Sequence, residues 1–272
     1  MITVNPDLCN KDGICADVCP IKIISFKDGR LPVPVPGADQ MCIRCGHCVA
    51  VCPTGALAHT VMSPDACPPV MSERRLSPEQ AEHFLRSRRS IRVYRKNRIV
   101  EQETLARLVE MASYAPSGHN RQPVSWHVIY DKDALHRLTG MVADWMRDMI
   151  KKQPAMAAAM HMELLVGAWD LGIDVICRDA PHLIIAHGPG ADVTAQTACT
   201  IALTYLDLAA PSLDLGTCWA GFFQAAAMFW EPLQKALTLP KGHVSFGAMM
   251  VGYPRHTYHR LPLRNPPVIT WQ

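Results

Sequence analysis

The chain has 272 residues, close to twice the length of a typical domain, which argues against one small module as the whole architecture. With 49% hydrophobic and 19% charged residues it is far from the composition of a disordered segment. Twenty-seven Lys and Arg against 24 Asp and Glu leave a net charge of +3, too little for a whole-surface field that would recruit nucleic acid or an anionic membrane.

The opening MITVNPDLCN has no basic stretch followed by an apolar run, and the most apolar stretch, Met156 to Trp169, is interrupted by His161 and Glu163. The expectation is a soluble, cytoplasmic protein with no nucleic-acid or membrane partner. Eight of the 11 cysteines lie within the first 67 residues. In a reducing compartment such a cluster points to metal rather than disulfides.

An internal repeat runs through this N-terminal part. A shift of 33 positions carries Cys9, Asp12, Cys15, Cys19 and Pro20 onto Cys42, Cys45, Cys48, Cys52 and Pro53. The second copy, CIRCGHCVAVCP, has the C-x2-C-x2-C-x3-C-P spacing that wraps three thiolates around one iron-sulfur cage and sends the fourth to another. Zinc ribbons also use C-x2-C pairs, but they give no reason for the whole run. The segment resembles a bacterial two-cluster ferredoxin. That resemblance implies a 4Fe-4S cluster on Cys42, Cys45, Cys48 and Cys19, and a second cluster on Cys9, Cys15 and Cys52. Asp12 stands where the pattern has a cysteine. It is read either as a harder fourth ligand, as a corner left empty in a 3Fe-4S cluster, or as the start of an ordinary Asp12-Gly13 turn. Cys67, among four prolines between Pro53 and Pro69, reads as an unpaired linker thiol, and His47 as an exposed side chain or a cluster-tuning one.

The domain division is therefore expected as residues 1–70 and 71–272, with the linker giving way to a helix at Ser77-Pro78-Glu79-Gln80, a capping sequence with proline in the first turn. Leu105, Leu108, Val109 and Met111 follow helical spacing, and a helix is expected from about Asp192 to Leu213. The runs SWHVIY (125–130), HLIIAH (182–187) and SFGAMMV (245–251) predict strands. Met156, Met160, Met162, Leu165 and Trp169 read as a helical stripe for core or dimer contact. The class is α+β.

Between Arg86 and Arg98 seven cations occupy 13 positions, a focus suited to an anion such as phosphate if it is not a solvated helix face. SRRSIRVYR is followed by YAPSGHNRQP (114–123), LGTCWAGFF (215–223) and GYPRHTYHRLPLR (252–264). In this order the motifs resemble the flavin-dependent nitroreductase family, over roughly Glu82 to Arg264. The resemblance implies a homodimer with FMN at the subunit interface. Arg88, Arg89, Ser90 and Arg92 would hold its phosphate and ribityl chain, and Pro116, Ser117, Gly118 and Asn120 would approach from the other subunit. Cys218, Trp219, Ala220 and Gly221 would lie against the ring, and Arg260 or Arg264 would close on the phosphate. Small residues at Ser117-Gly118 and Ala220-Gly221 suit close backbone approach to a flat ring, although Pro116-Ser117-Gly118 also reads as a plain turn and Gly216-Thr217 as a helix end. No catalytic side chain is assigned; His119 reads equally as facing the site or paired with backbone.

The combination predicts a flavin-dependent oxidoreductase in which iron-sulfur clusters relay electrons to FMN, which reduces a small conjugated acceptor such as a nitroaromatic or quinone. Reduced ferredoxin or NAD(P)H is the expected donor, although no G-x-G-x-x-G loop marks a separate nucleotide domain. A non-enzymatic electron carrier or redox sensor is the alternative.

Overall fold

The computed structural model describes residues 1–272 and divides them into two compact units. The first comprises Met1–Leu76 with His119–Arg121, and the second Ser77–Gly118 with Gln122–Gln272.

The 33-residue repeat is written into the backbone of the first unit. Its elements are β1 (Ile2–Val4), α1 (Ile14–Asp17), β2 (Ile24–Ser25), β3 (Val33–Pro34), α2 (Ala38–Met41), α3 (His47–Ala50) and β4 (Leu57–His59). The single-turn helices α1 and α3 are one repeat apart, as are the first residues of β2 and β4. Left-handed positions recur in register: Lys11 and Arg44 (φ 58° and 53°), Gly13 and Gly46 (74° and 76°), Lys22 and Gly55 (53° and 64°). At Gly13 a second reason adds to the conformation, since a Cβ there would lie 2.5 Å from Phe26 Cδ1, whereas at Gly46 it would meet only the flexible end of Met62. β1 pairs antiparallel with β4, and β2 with β3. Ile2, Ile23, Ile24, Val49 and Leu57 form a small core, against which the half-buried Cys67 packs after a 3-10 turn at Pro64–Ala66. The linker thiol expected at Cys67 is thus a packed one.

In the second unit α4 (Pro78–Ser87) begins as expected: Ser77 and Gln80 form a reciprocal capping box. α5 (Gln102–Ser113), β5 (Ser125–Ile129), α6 (Lys132–Lys152), α7 (Pro154–Ala159), α8 (Met162–Asp170), β6 (His182–Pro189), α9 (Ala195–Ala209), β7 (Gly216–Trp219), α10 (Gly221–Phe229), α11 (Glu231–Ala236) and β8 (His243–Gly252) follow. The sheet order is β5-β6-β8-β7, antiparallel throughout. Alternation along β6 sends Leu183 and Ile185 into one apolar cluster and Ile184 and Ala186 into another, so this central strand is covered on both faces. α5 and α9 pack with the second cluster, while α6, α8, α10 and α11 pack with the first.

Two expected helices are modified. The stretch Met156–Trp169 is two helices separated at His161, which is left-handed (φ 55°), with Met162 buried and Met156 exposed. The helix expected to reach Leu213 leaves α geometry after Ala209. It closes in a 3-10 turn at Ala210–Leu213, where Pro211 has no N–H for the ladder. Gly216 does not end that helix but begins β7.

Two histidines are part of the core. His182 is fully buried, accepts from Val100 N–H at 3.0 Å and bonds the Tyr130 carbonyl at 2.9 Å. His187 is 4% exposed, its Nδ1 3.0 Å from His243 Nδ1. Burial, then the neighbouring His243 and His127, push the His187 pKa down to about 4. An unfolded chain binds this proton below about 6.5 and the native chain only near 4, so stability is fully present above pH 6.5 and is lost as pH falls toward 4. Urea unfolding midpoints measured from pH 7 to 4.5 should therefore fall, and His187→Gln should flatten that slope. A slope unchanged by the substitution would remove His187 as its cause.

Candidate functional site

Seven cysteines and one aspartate of the first unit line two cavities. Cys19, Cys42, Cys45 and Cys48 line one, and Cys9, Asp12, Cys15 and Cys52 the other. Each copy of the repeat thus lends its last cysteine to the other copy's cavity, because α1 and α3 pack together. No three His, Cys, Asp or Glu side chains converge tightly enough to hold a single metal ion. One zinc would bring four thiolates to within ~3.8 Å of one another, given Zn–S bonds of about 2.3 Å. The donor set, four thiols around one cavity and three thiols with a carboxylate around the other, fits iron-sulfur ligation.

The thiols are crowded. Burial, then the neighbouring Cys45, pushes the Cys48 thiol up to about 11, so its thiolate is disfavoured there without a cation. Burial also raises Cys52, but hydrogen bonds from Thr54 and from the Leu57 and Ala56 backbone outweigh it and hold that thiol below its usual value. Ala56 N–H reaches Cys52 Sγ at 3.2 Å and Arg44 N–H reaches Cys42 Sγ at 3.4 Å. Asp12 is exposed and its Oδ1 accepts from Ile14 N–H at 3.1 Å, so the turn geometry read from the sequence is present. His47 is exposed. His59, which sequence reasoning passed over, lines the Cys19/Cys42/Cys45/Cys48 cavity with its Nε2 3.6 Å from Cys42 Sγ. Burial, then the N-terminal ammonium and Arg44, lower its pKa.

In the second unit the basic strip is pinned beside β7. Ile91 N–H donates to the Thr217 carbonyl at 2.8 Å, and the Ile91 side chain fills the space over Gly216, where a Cβ would lie 2.4 Å from it. Tyr94 donates to the Ile91 carbonyl at 2.7 Å, and Arg95 N–H to the Tyr253 carbonyl at 2.9 Å. Arg88 is paired with the buried Asp207 at 3.2 Å, and Thr217 donates to the other oxygen of that carboxylate. Arg92 lies near Ser90 and, with Arg178, opposes the burial that raises the Cys218 thiol.

Beside this strip opens a cleft of about 510 Å³, within the ~300–1,000 Å³ of small-molecule sites. Arg89, Arg95, Arg98 and Arg255 bring cations to it, and His256, Asp207 and Asp214 line it too. Arg98 lies 3.7 Å over the Tyr253 ring, and Arg89 Nε is buried without a hydrogen-bond partner. The excess of guanidinium over carboxylate fits a phosphate-bearing ligand.

The remaining candidates are dispersed within one chain. Cys218 and Ala220 are buried, Trp219 is 39% exposed, and Gly221 opens α10 with empty space where its Cβ would be. Pro116 and Ser117 line a separate small cavity with Trp126, Ser117 accepting from Gln122 N–H at 2.9 Å, and Gly118 faces Thr194. Asn120 donates to the carbonyls of Ile43 and Arg44 at 3.3 and 3.1 Å, inside the first unit, while His119 is exposed and left-handed. Arg260 and Arg264 are exposed in the irregular C-terminal segment, whereas Arg255 lines the cleft.

Comparison with known proteins gives this arrangement its context. The model of the nitroreductase family matches residues 85–253, and that of the 4Fe-4S dicluster domain residues 8–57. An Archaeoglobus fulgidus protein provisionally named NADH dehydrogenase/NAD(P)H nitroreductase is 29% identical over 177 residues, 65% of this chain and 87% of its own. A 7Fe ferredoxin of Hydrogenibacillus schlegelii is 31% identical over 64 residues, 24% of this chain and 77% of its own. Among solved structures, a nitroreductase with bound FMN from Bacteroides fragilis superposes with a TM-score of 0.57 at 18% identity, covering 71% of this chain and 99% of that one. A second, from Desulfitobacterium hafniense, gives 0.55 at 22%, covering 72% and 99%. The α+β sheet unit and the twofold thiol repeat thus have their counterparts: the chain belongs to the nitroreductase family and carries a ferredoxin-type 4Fe-4S dicluster domain at its N-terminal end.

Proposed function

We propose that the protein is a flavin-dependent oxidoreductase that takes up electrons singly through its thiol-lined centres and passes them in pairs to a small conjugated acceptor such as a nitroaromatic or quinone. The observation that carries this reading is the presence in one chain of two thiol-lined cavities and an arginine-lined cleft of small-ligand size. Bound FMN would supply the conversion between one- and two-electron transfer, and iron-sulfur clusters the single-electron steps. Reduced ferredoxin or NAD(P)H is the donor in this reading.

The residues divide the work by chemistry. Cys19, Cys42, Cys45 and Cys48 would ligate one 4Fe-4S cluster; Cys9, Cys15 and Cys52, with or without Asp12, would ligate the other. The seven irons in the name of the Hydrogenibacillus relative support a three-iron centre at Asp12. Arg88, Arg89, Ser90 and Arg92 would hold the FMN phosphate and ribityl chain, with Arg255 a further cation at the cleft and Arg260 or Arg264 closing from the C-terminal segment. Cys218, Trp219, Ala220 and Gly221 would meet the ring, and the α10 amides beginning at Gly221 can stabilise negative charge on it. Pro116, Ser117, Gly118 and Asn120 would complete the site from a second copy in a homodimer. The separate cavity lined by Pro116 and Ser117 supports that reading, as do the exposed apolar Tyr114, Leu164, Leu171 and Phe229 and the exposed Leu263 and Trp271 of the C-terminal segment.

Two predictions follow from these roles. Anaerobic turnover of a nitroaromatic, driven by reduced ferredoxin, should fall at least about tenfold in Cys48→Ala, a barrier change of about 1.4 kcal/mol, while flavin content holds. Unchanged ferredoxin-driven turnover would end the relay reading. Asp207→Asn removes the buried partner of Arg88, and breaking such a pair costs about 3–5 kcal/mol. A lower melting temperature and loss of FMN on gel filtration are expected, and full flavin retention would show that Arg88 does not need Asp207 to hold the phosphate.

A further inference from the structure

The two thiol-lined cavities differ at a second place besides Asp12. One repeat before His59 stands Phe26, so equivalent positions carry an imidazole beside one cavity and a phenyl ring beside the other. Phe26 packs on Gly13 and is not among the residues lining its cavity, whereas His59 lines its own, next to Cys42 and among Ile2, Ile23 and Ile24.

The hydrogen-bonding of His59 fixes which ring nitrogen carries the proton. Val61 N–H donates to His59 Nδ1 at 3.2 Å, so the neutral ring holds its hydrogen on Nε2. That nitrogen is 3.6 Å from Cys42 Sγ, within reach for a hydrogen bond to sulfur. The ring is held from both sides of its own residue: His59 pairs with Ile2 in the β1–β4 ladder, and its backbone N–H donates to the Met62 carbonyl at 2.8 Å. Met62 in turn lies over Gly46, between Cys45 and His47. The imidazole N–H therefore points at one sulfur from a rigid turn. Cys52, in the other cavity, has Thr54 Oγ1 at 3.7 Å, but a hydroxyl rotates and either atom of that pair can be the donor.

We infer that His59 is a positioning residue for electron transfer, its Nε2–H donating to Cys42 Sγ and raising the reduction potential of the centre held by Cys19, Cys42, Cys45 and Cys48. The inference rests on the reading of these four cysteines as cluster ligands. Its physical basis is that one added electron spreads negative charge onto the ligand sulfurs, and a proton donor aimed at one of them favours the reduced state over the oxidised one. A ligand-bound cluster in the other cavity has no such imidazole and serves as an internal reference.

The test is an EPR-monitored redox titration of the full-length, iron-loaded protein. Loss of one signal in Cys45→Ala assigns that signal to the Cys42 centre; if no signal is lost, the ligand reading itself fails. In His59→Phe, which copies the residue at position 26, the assigned signal should titrate at a lower potential while the other stays where it was. His59→Gln, which keeps an N–H donor, should recover part of the shift, and a purely packing role would not give that recovery. Should the Phe variant lose iron, His59→Leu reads the same shift. With iron content intact, an unmoved potential, or equal shifts of both signals, would overturn the inference.

Discussion

Crowding of like charge is the constraint around which both units are built. Thiols that must ionise to bind metal are packed until burial and mutual repulsion lift Cys48 to about 11, and guanidinium groups are gathered beside β7 with few carboxylates to answer them. Neither arrangement is favourable alone. Each would become favourable if a group of opposite charge entered, a metal cluster in one case and a phosphate in the other. The scaffolds that hold the crowds are accordingly rigid: repeated left-handed turns in the first unit, and a strip hydrogen-bonded to β7 and to Tyr253 in the second.

Asp207 shows how the second crowd is kept from dispersing. Burying a carboxylate under the strip satisfies Arg88 and, through Thr217, ties it to the strand that leads to Cys218 and Trp219. A single buried anion thus fixes the first cation of the motif, while Arg89, Arg95 and Arg98 line the cleft. The overall charge reflects the same division. The first 70 residues hold five Lys or Arg and six Asp or Glu, so the excess of basic residues lies in the rest of the chain.

Spacing was the most legible property of the sequence, because cysteine offsets and strand alternation are local. The runs at 125–130, 182–187 and 245–251 became β5, β6 and β8, and their true ends were set by partners, as when β8 begins at His243 opposite Pro189. Contacts between distant positions left no such mark. Asp207 sits in an amphipathic helix and looks like any exposed carboxylate; only its approach to Arg88, 119 positions away, makes it part of the site. His59 is hidden for the opposite reason, since it lies just outside the cysteine run and approaches Cys42 from the end of the β1–β4 ladder. Arg255 falls within a motif whose later arginines, Arg260 and Arg264, drew the phosphate role in the sequence reading, although Arg255 lines the cleft.

The repeat also shows what kind of difference separates the two centres. Had the backbone around Asp12 diverged from that around Cys45, the aspartate would be explained as a relic of a damaged loop. Instead Lys11 and Gly13 keep the left-handed geometry of Arg44 and Gly46, and α1 starts one repeat before α3. The frame that presents a thiol at 45 presents a carboxylate at 12, with one oxygen already engaged by Ile14 N–H. At Phe26 and His59 the side chain and the frame both differ, since His59 ends β4, which pairs with β1, whereas Phe26 follows β2, which pairs with β3. Asp12 in the retained frame of Cys45, and the imidazole of His59 beside only one of the cavities, would give two centres made by one duplicated loop different charge and different proton donors.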